Sequence, residues 1–289
     1  MAEQDLGAFR ALVLERGREL YRDLPWRRTQ DPYEIWISEV MLQQTQTTRV
    51  DGRWQRWLSR FPTARALAAA PVADVLDEWQ GLGYNRRALA VHRAAQAVAE
   101  AGGALPAYAE ALQALPGIGP ATAAGILAFA FDLHGVYLET NVRTVFLHEL
   151  FAGVEGVPDK ELVPLVSATC PVDASDPADD PRTWYYALLD YGAYLKRTVP
   201  NPSRRSRSHT RQSRFEGSHR QKRAALVRLL LAHRDDASGG ALIDTLYQQL
   251  LLEERKAGRM DLSVTDVQGL LKELAEEGFC RCDKGIWHV

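Results

Sequence analysis

Three cysteines in 289 residues, Cys170, Cys280 and Cys282, are too few for a disulfide scaffold and fit a reducing compartment. They are also too few for a four-cysteine metal or iron–sulfur site. Long apolar runs are missing as well. The longest, from Ala123 to Phe131, falls far short of the ~20 residues that span a bilayer. Met1 to Leu20 mixes charges throughout, so no signal peptide is expected and a cytoplasmic location is. Nor does one sign of charge dominate, since the net charge is -2. What is present is ordinary for a globular protein of one or two domains: 46% hydrophobic and 25% charged residues, enough to bury a core.

The charge is unevenly placed. From Ser203 to Arg223 stand Arg204, Arg205, Arg207, Arg211, Arg214, Arg220, Lys222 and Arg223 against the single acid Glu216. That window carries +7 and leaves -9 on the rest of the chain. It reads either as a polyanion footprint, with serine and threonine hydroxyls ready to donate to phosphates, or as a solvated linker.

Before the strip the apolar spacing is helical almost throughout, with predicted helices over Ala8–Tyr21, from Pro32, and over 48–60, 72–80, 85–101, 107–113, 120–131, 141–150, 159–168 and 181–196. No sustained strand alternation occurs there. After it, residues 221–233, 240–251 and 263–277 read as three helices. Residues 279–289 then alternate around Asp283-Lys284-Gly285, the signal of a hairpin. Three helices and a two-stranded hairpin suggest a winged helix. Its third helix carries Asp266, Glu273, Glu276 and Glu277 against Lys272, which suits protein packing at least as well as DNA. The linear division is thus 1–200, a basic strip 201–220, and a small α+β domain 221–289.

Three segments carry chemistry. In Leu115-Pro116-Gly117-Ile118-Gly119-Pro120-Ala121-Thr122, two glycines in a tight turn let backbone approach a ligand, and the amides opening the next helix attract phosphate. Gly117, Gly119, Ala121 and Thr122 are the candidate backbone contacts, and the turn's carbonyls could hold a monovalent cation. In Ser38-Glu39-Val40-Met41-Leu42-Gln43-Gln44-Thr45-Gln46, apolar neighbours desolvate Glu39, which raises a carboxyl's pKa and suits general-acid work. The polar run that follows suits base edges. Taken alone, Glu39 also reads as a surface acid. In Leu138-Glu139-Thr140-Asn141-Val142, Thr140 or Asn141 can cap the following helix, whose dipole would keep Glu139 ionised. Glu139 reads equally as an ordinary capping acid.

Together and in this order, these segments resemble the helix–hairpin–helix DNA glycosylases, and among them the MutY-type adenine DNA glycosylases. Leu24-Pro25-Trp26-Arg27, Gly81-Leu82-Gly83-Tyr84 and Leu189-Asp190-Tyr191-Gly192-Ala193 add to the likeness, which covers roughly residues 8 to 200. The resemblance implies an all-α, two-lobed fold and removal of a flipped-out purine, most readily a mispaired adenine, from double-stranded DNA. It implies a monomer working at the nucleoid. Glu39 would be the acid and Glu139 the stabiliser of an oxocarbenium-like sugar, with Asn141 in support. Trp26, Arg27, Leu42, Thr45, Ala121 and Tyr186 would line the base pocket; Gln44 and Tyr84 would wedge into the vacated stack. Arg204, Arg205, Arg207 and Arg211 would hold the backbone.

The chain departs from the family pattern in several places. The cluster-cysteine positions fall on Lys196, Ser203, Ser206 and Gln212, so no iron–sulfur cluster and no other metal is expected. Glu139 replaces an aspartate, and Tyr186 a glutamine or glutamate that touches the base. Ala121 stands where strand-cutting members carry a Schiff-base lysine, which implies base removal without intrinsic lyase activity. The chain ends in the winged-helix pattern instead of a Nudix-like β-rich domain. Other readings are a glycosylase for hypoxanthine, an alkylated purine or a mismatched pyrimidine, and a non-catalytic DNA-binding protein on the same scaffold.

Overall fold

The computed structural model describes residues 5–171, 180–210 and 213–289; Arg211 and Gln212 lie outside the described residues. Fifteen α-helices occur among the described residues. In chain order they are α1 (Leu6–Glu19), α2 (Pro32–Leu42), α3 (Thr47–Val50), α4 (Arg53–Arg60), α5 (Ala64–Ala69), α6 (Val72–Glu78), α7 (Arg86–Glu100) and α8 (Ala109–Gln113). There follow α9 (Pro120–Phe131), α10 (Thr140–Glu149), α11 (Asp159–Thr169), α12 (Pro181–Thr198), α13 (His219–Ala232), α14 (Ile243–Lys256) and α15 (Val264–Glu277). Three short strands, β1 (Ala241–Leu242), β2 (Arg281–Asp283) and β3 (Ile286–His288), complete the chain.

Compactness divides these elements into two units that cut across the linear scheme. The first joins Met1–Gln43 to Leu105–Arg211; the second joins Gln44–Ala104 to Gln212–Val289.

In the first unit α1 and α10 both pack on α12, and α2 packs on α9. The core is aromatic: Phe9, Phe129, Phe146, Trp184 and Tyr185 are buried with Val13, Ile35, Val145 and Leu188. Each such side chain contributes about 1.5–3 kcal/mol by leaving water. The helix starts are written in the sequence. Asp31 caps α2, accepting from the amides of Tyr33 and Glu34, with Pro32 at the first helical position. Asp180 and Pro181 do the same for α12. Of the caps open to α10, the structure uses Glu139, as the capping-acid reading has it, and not Thr140 or Asn141: its carboxyl accepts from the amides of Asn141 and Val142.

In the second unit α5 and α6 pack on α7, and α13, α14 and α15 pack on one another. Trp57 stands edge-on to Trp79 with ring centroids 5.5 Å apart. The helix expected over 48–60 is broken at Asp51-Gly52, where Gly52 takes φ 77°, and α5 was not expected at all. The hairpin is as read, turning at Lys284-Gly285 with φ 47° and 82°. The wing has three strands, not two: β1 pairs antiparallel with β3, giving the order β1-β3-β2. A strand of two residues shows no alternation, so the sequence could not display it. The acids of α15 mostly serve packing. Glu273 meets Arg223 and His219, and Glu277 meets Arg223 and Arg86.

Candidate active site

The two carboxyls singled out in the sequence both belong to the first unit. Glu39 is half-buried on α2, and its Oε2 accepts from the Tyr137 hydroxyl at 3.0 Å. Loss of hydration pushes its pKa up to about 8; the negative charge of Glu139 adds to this, while the Tyr137 hydrogen bond and Arg27 oppose it. Gly125 on α9 makes the room. A Cβ there would collide with Oε2 of Glu39 and come within 2.8 Å of the Tyr137 ring.

The expectation that a helix N-terminus alone keeps Glu139 low is corrected. Burial raises this carboxyl too, against the lowering by the amides of Val142, Asn141 and Thr140 and by the Lys196 ammonium. The two acids therefore differ in what opposes desolvation. Glu139 has a helix terminus and a cation; Glu39 has one phenol, one guanidinium and a repelling carboxylate. Asn141 adjoins them, its Oδ1 accepting from Lys196 Nζ at 3.0 Å.

Arg27 and Tyr186 join the same neighbourhood, since both interact electrostatically with Glu39. The buried Arg27 guanidinium donates to both oxygens of Asp190, at 2.6 and 2.8 Å, and lies 4.3 Å from the Tyr186 ring centroid. Tyr186 is stacked on Phe129 at 4.4 Å, with Arg182 also over its ring. Trp26 is buried in the turn Pro25–Arg27, and Leu42 is half-buried at the end of α2.

The glycine turn lies between α8 and α9. Gly117 takes φ 79°, Gly119 caps α9 in extended backbone, and Gly119 and Pro120 are exposed. A Cβ at Gly119 would meet nothing within 4 Å, and the first amides of α9, those of Ala121 and Thr122 included, have no partner within the helix. Gln43, which the sequence reading did not single out, donates to the Thr122 hydroxyl at 3.0 Å.

Gln44, Thr45 and Tyr84 belong to the second unit. Gln44 and Tyr84 both take left-handed backbone, with φ 53° and 50°. Thr45 is used to fasten loops: Arg87 donates to its hydroxyl at 3.1 Å and to the carbonyls of Leu82 and Gly83. The basic strip does not act as one piece. Arg204 and Arg207 are exposed. Arg205 instead donates to the carbonyls of Leu147 and Phe151 at the end of α10, where a guanidinium satisfies unpaired helix carbonyls. Arg223 is held by Glu273 and Glu277. Arg211 lies outside the described residues.

A sequence model of the HhH-GPD superfamily of base excision DNA repair proteins matches residues 37–238. The chain belongs to this superfamily. The adenine DNA glycosylase of Mycolicibacterium smegmatis is 38% identical over 174 residues, which is 60% of this chain and 58% of that protein. The adenine DNA glycosylase of Mus musculus is 35% identical over 215 residues, 71% of this chain and 40% of that one. The chain spans about half the length of the curated relatives it matches. A solved thermostable thymine-DNA glycosylase is similar in fold, with a TM-score of 0.56 at 24% identity, over 65% of this chain and 86% of its own.

An iron–sulfur cluster, which the resemblance would place after α12, does not fit the residues present. Lys196 is on Asn141, Ser203 donates to Asn201 at 2.8 Å, and Ser206 accepts from the Ser208 amide at 3.1 Å. Among the described residues no group of three or more His, Cys, Asp or Glu side chains is arranged to hold a metal.

Proposed function

We propose that this HhH-GPD protein is a monofunctional DNA glycosylase, working without an iron–sulfur cluster, that removes adenine from a mispair in double-stranded DNA. The observation that carries this is the Glu39 carboxyl, seated in the room Gly125 leaves, bonded by the Tyr137 hydroxyl and within electrostatic reach of Glu139, with its pKa pushed up to about 8. Glu39 would give its proton to a ring nitrogen of the extruded base as the N-glycosidic bond breaks and its electron pair leaves with the base. The sugar cation forms next to the Glu139 carboxylate, and water adds to it, returning a proton to Glu39. The identity of 35–38% to adenine DNA glycosylases supports the choice of base. Ala121 offers no amine, so the product would be an abasic site in an uncut strand. The amides that open α9 after Gly119 would take a backbone phosphate.

The test is a panel of duplexes treated with the protein and then with hot alkali. Adenine opposite guanine or 8-oxoguanine should be released by the wild type and not by E39Q. Alkali-independent cutting, or no release from any duplex, would overturn the reading. A second reading keeps the reaction and changes the base. Tyr186 stacked on Phe129, with Arg27 and Arg182 over its ring, offers no carboxylate to an exocyclic amine. Release of hypoxanthine, an alkylated purine or a mismatched pyrimidine alone would favour it.

A further inference from the structure

Lys196 enters the sequence reading only as the place of an absent cysteine, yet it stands next to the reaction centre. It is half-buried on α12, and its Nζ donates to Asn141 Oδ1 at 3.0 Å. Asn141 is in turn tied to the acid, because its amide donates to Glu139 Oε1. The helices come close enough for this at Gly192, one turn before Lys196, where a Cβ would collide with the backbone of Asn141. Lys196 bonds Asn141, and its positive charge still acts on the Glu139 carboxylate, which itself accepts from the backbone amides of Asn141 and Val142.

The other groups around Glu139 do not supply that charge. Glu39 on α2 and Tyr137 before α10 repel a carboxylate or are neutral. The nearby cations are taken elsewhere: Arg143 pairs with Asp159, and Arg27 pairs with Asp190. We propose that Lys196 is a positioning residue for base excision, a cation that fixes the Asn141 side chain and sets positive charge beside the Glu139 carboxylate. A position that the family resemblance gives to a metal ligand has thus been turned over to electrostatics within the site. The proposal rests on the glycosylase reading above.

Single-turnover release of adenine from a duplex, followed from pH 5 to 9 with the full chain, tests it. Excision needs Glu139 ionised, so the rate rises with pH through that group's titration. K196M should move this acidic limb upward by about one pH unit and slow excision at neutral pH at least tenfold. K196R should restore the limb. Thermal unfolding of all three proteins separates the effect from a general loss of fold; if K196M does not fold, K196Q replaces it. An acidic limb unmoved in K196M or K196Q, or a K196R protein as slow as K196M at equal thermal stability, would overturn the inference alone. A wild type that releases no base from any duplex overturns the glycosylase reading, and the inference with it.

Discussion

Arg220 donates to the hydroxyl of Tyr84 at 3.2 Å, and its guanidinium lies over the same ring, 5.1 Å from the centroid. Arg87 lies over that ring as well, at 5.5 Å. On the glycosylase proposal, an aromatic side chain in left-handed backbone with two guanidiniums at its ring would offer a nucleobase a stacking partner and flanking phosphates positive charge. Arg220 comes from α13, so the C-terminal third of the chain reaches Tyr84 directly. R220A should cut the fluorescence change of 2-aminopurine placed beside the target adenine several-fold. It should also lower the slope of log affinity against log salt by about one. Y84F, which keeps the ring and loses the hydroxyl, should fall between R220A and wild type. A normal fluorescence change in R220A would refute the coupling.

Proton inventory gives a second test. The Glu39 carboxyl is needed protonated, so excision should fall as pH rises through about 8. Y137F removes the hydrogen bond that favours the charged form, so this alkaline limb should move to higher pH. Stability follows the same proton. Between the ordinary carboxyl range and about pH 8 the folded chain holds a proton that the unfolded chain has released, so stability declines as pH rises across that window. E39Q should remove the Glu39 part of this decline, leaving that of the raised Glu139, and melt about 2–4 °C above wild type at pH 8.5, on the order of 1 kcal/mol. Circular dichroism melts across that range decide it.

The basic strip gives the third. Arg204 and Arg207 are exposed, whereas Arg205 binds the carbonyls of Leu147 and Phe151. Neutralising Arg204 and Arg207 together should lower the salt slope of duplex binding by nearly two and leave the melting temperature alone. R205A should do the reverse. It should lose about 1.5–3 kcal/mol of stability, read from denaturant titration, with a smaller change in salt slope.

How much of this was legible in the sequence depends on the kind of signal. Glu39, Glu139, Asn141 and the glycine turn stand in compact motifs, and the structure brings the two acids and Asn141 into one unit. Lys196 gives no such signal, because it lies 55 residues beyond Asn141 and meets it only through the packing of α10 on α12. The clasp by Arg205 was hidden for a related reason: a cluster of like charges reads as one solvated strip, while each residue's partner is set by the tertiary fold. Glu139 was placed correctly at a helix start, but its charge state turns on burial, which a linear pattern does not measure. Helix α5, rich in alanine, offered too little amphipathic contrast to be seen.

Gly125 occupies the middle of α9, where an alanine would favour the helix by about 1 kcal/mol. Engineering the chain for heat resistance would pick this position early, and the added methyl would drive the acid out of its niche. The softest point of that helix is therefore a place where hardening the protein would displace the Glu39 carboxyl.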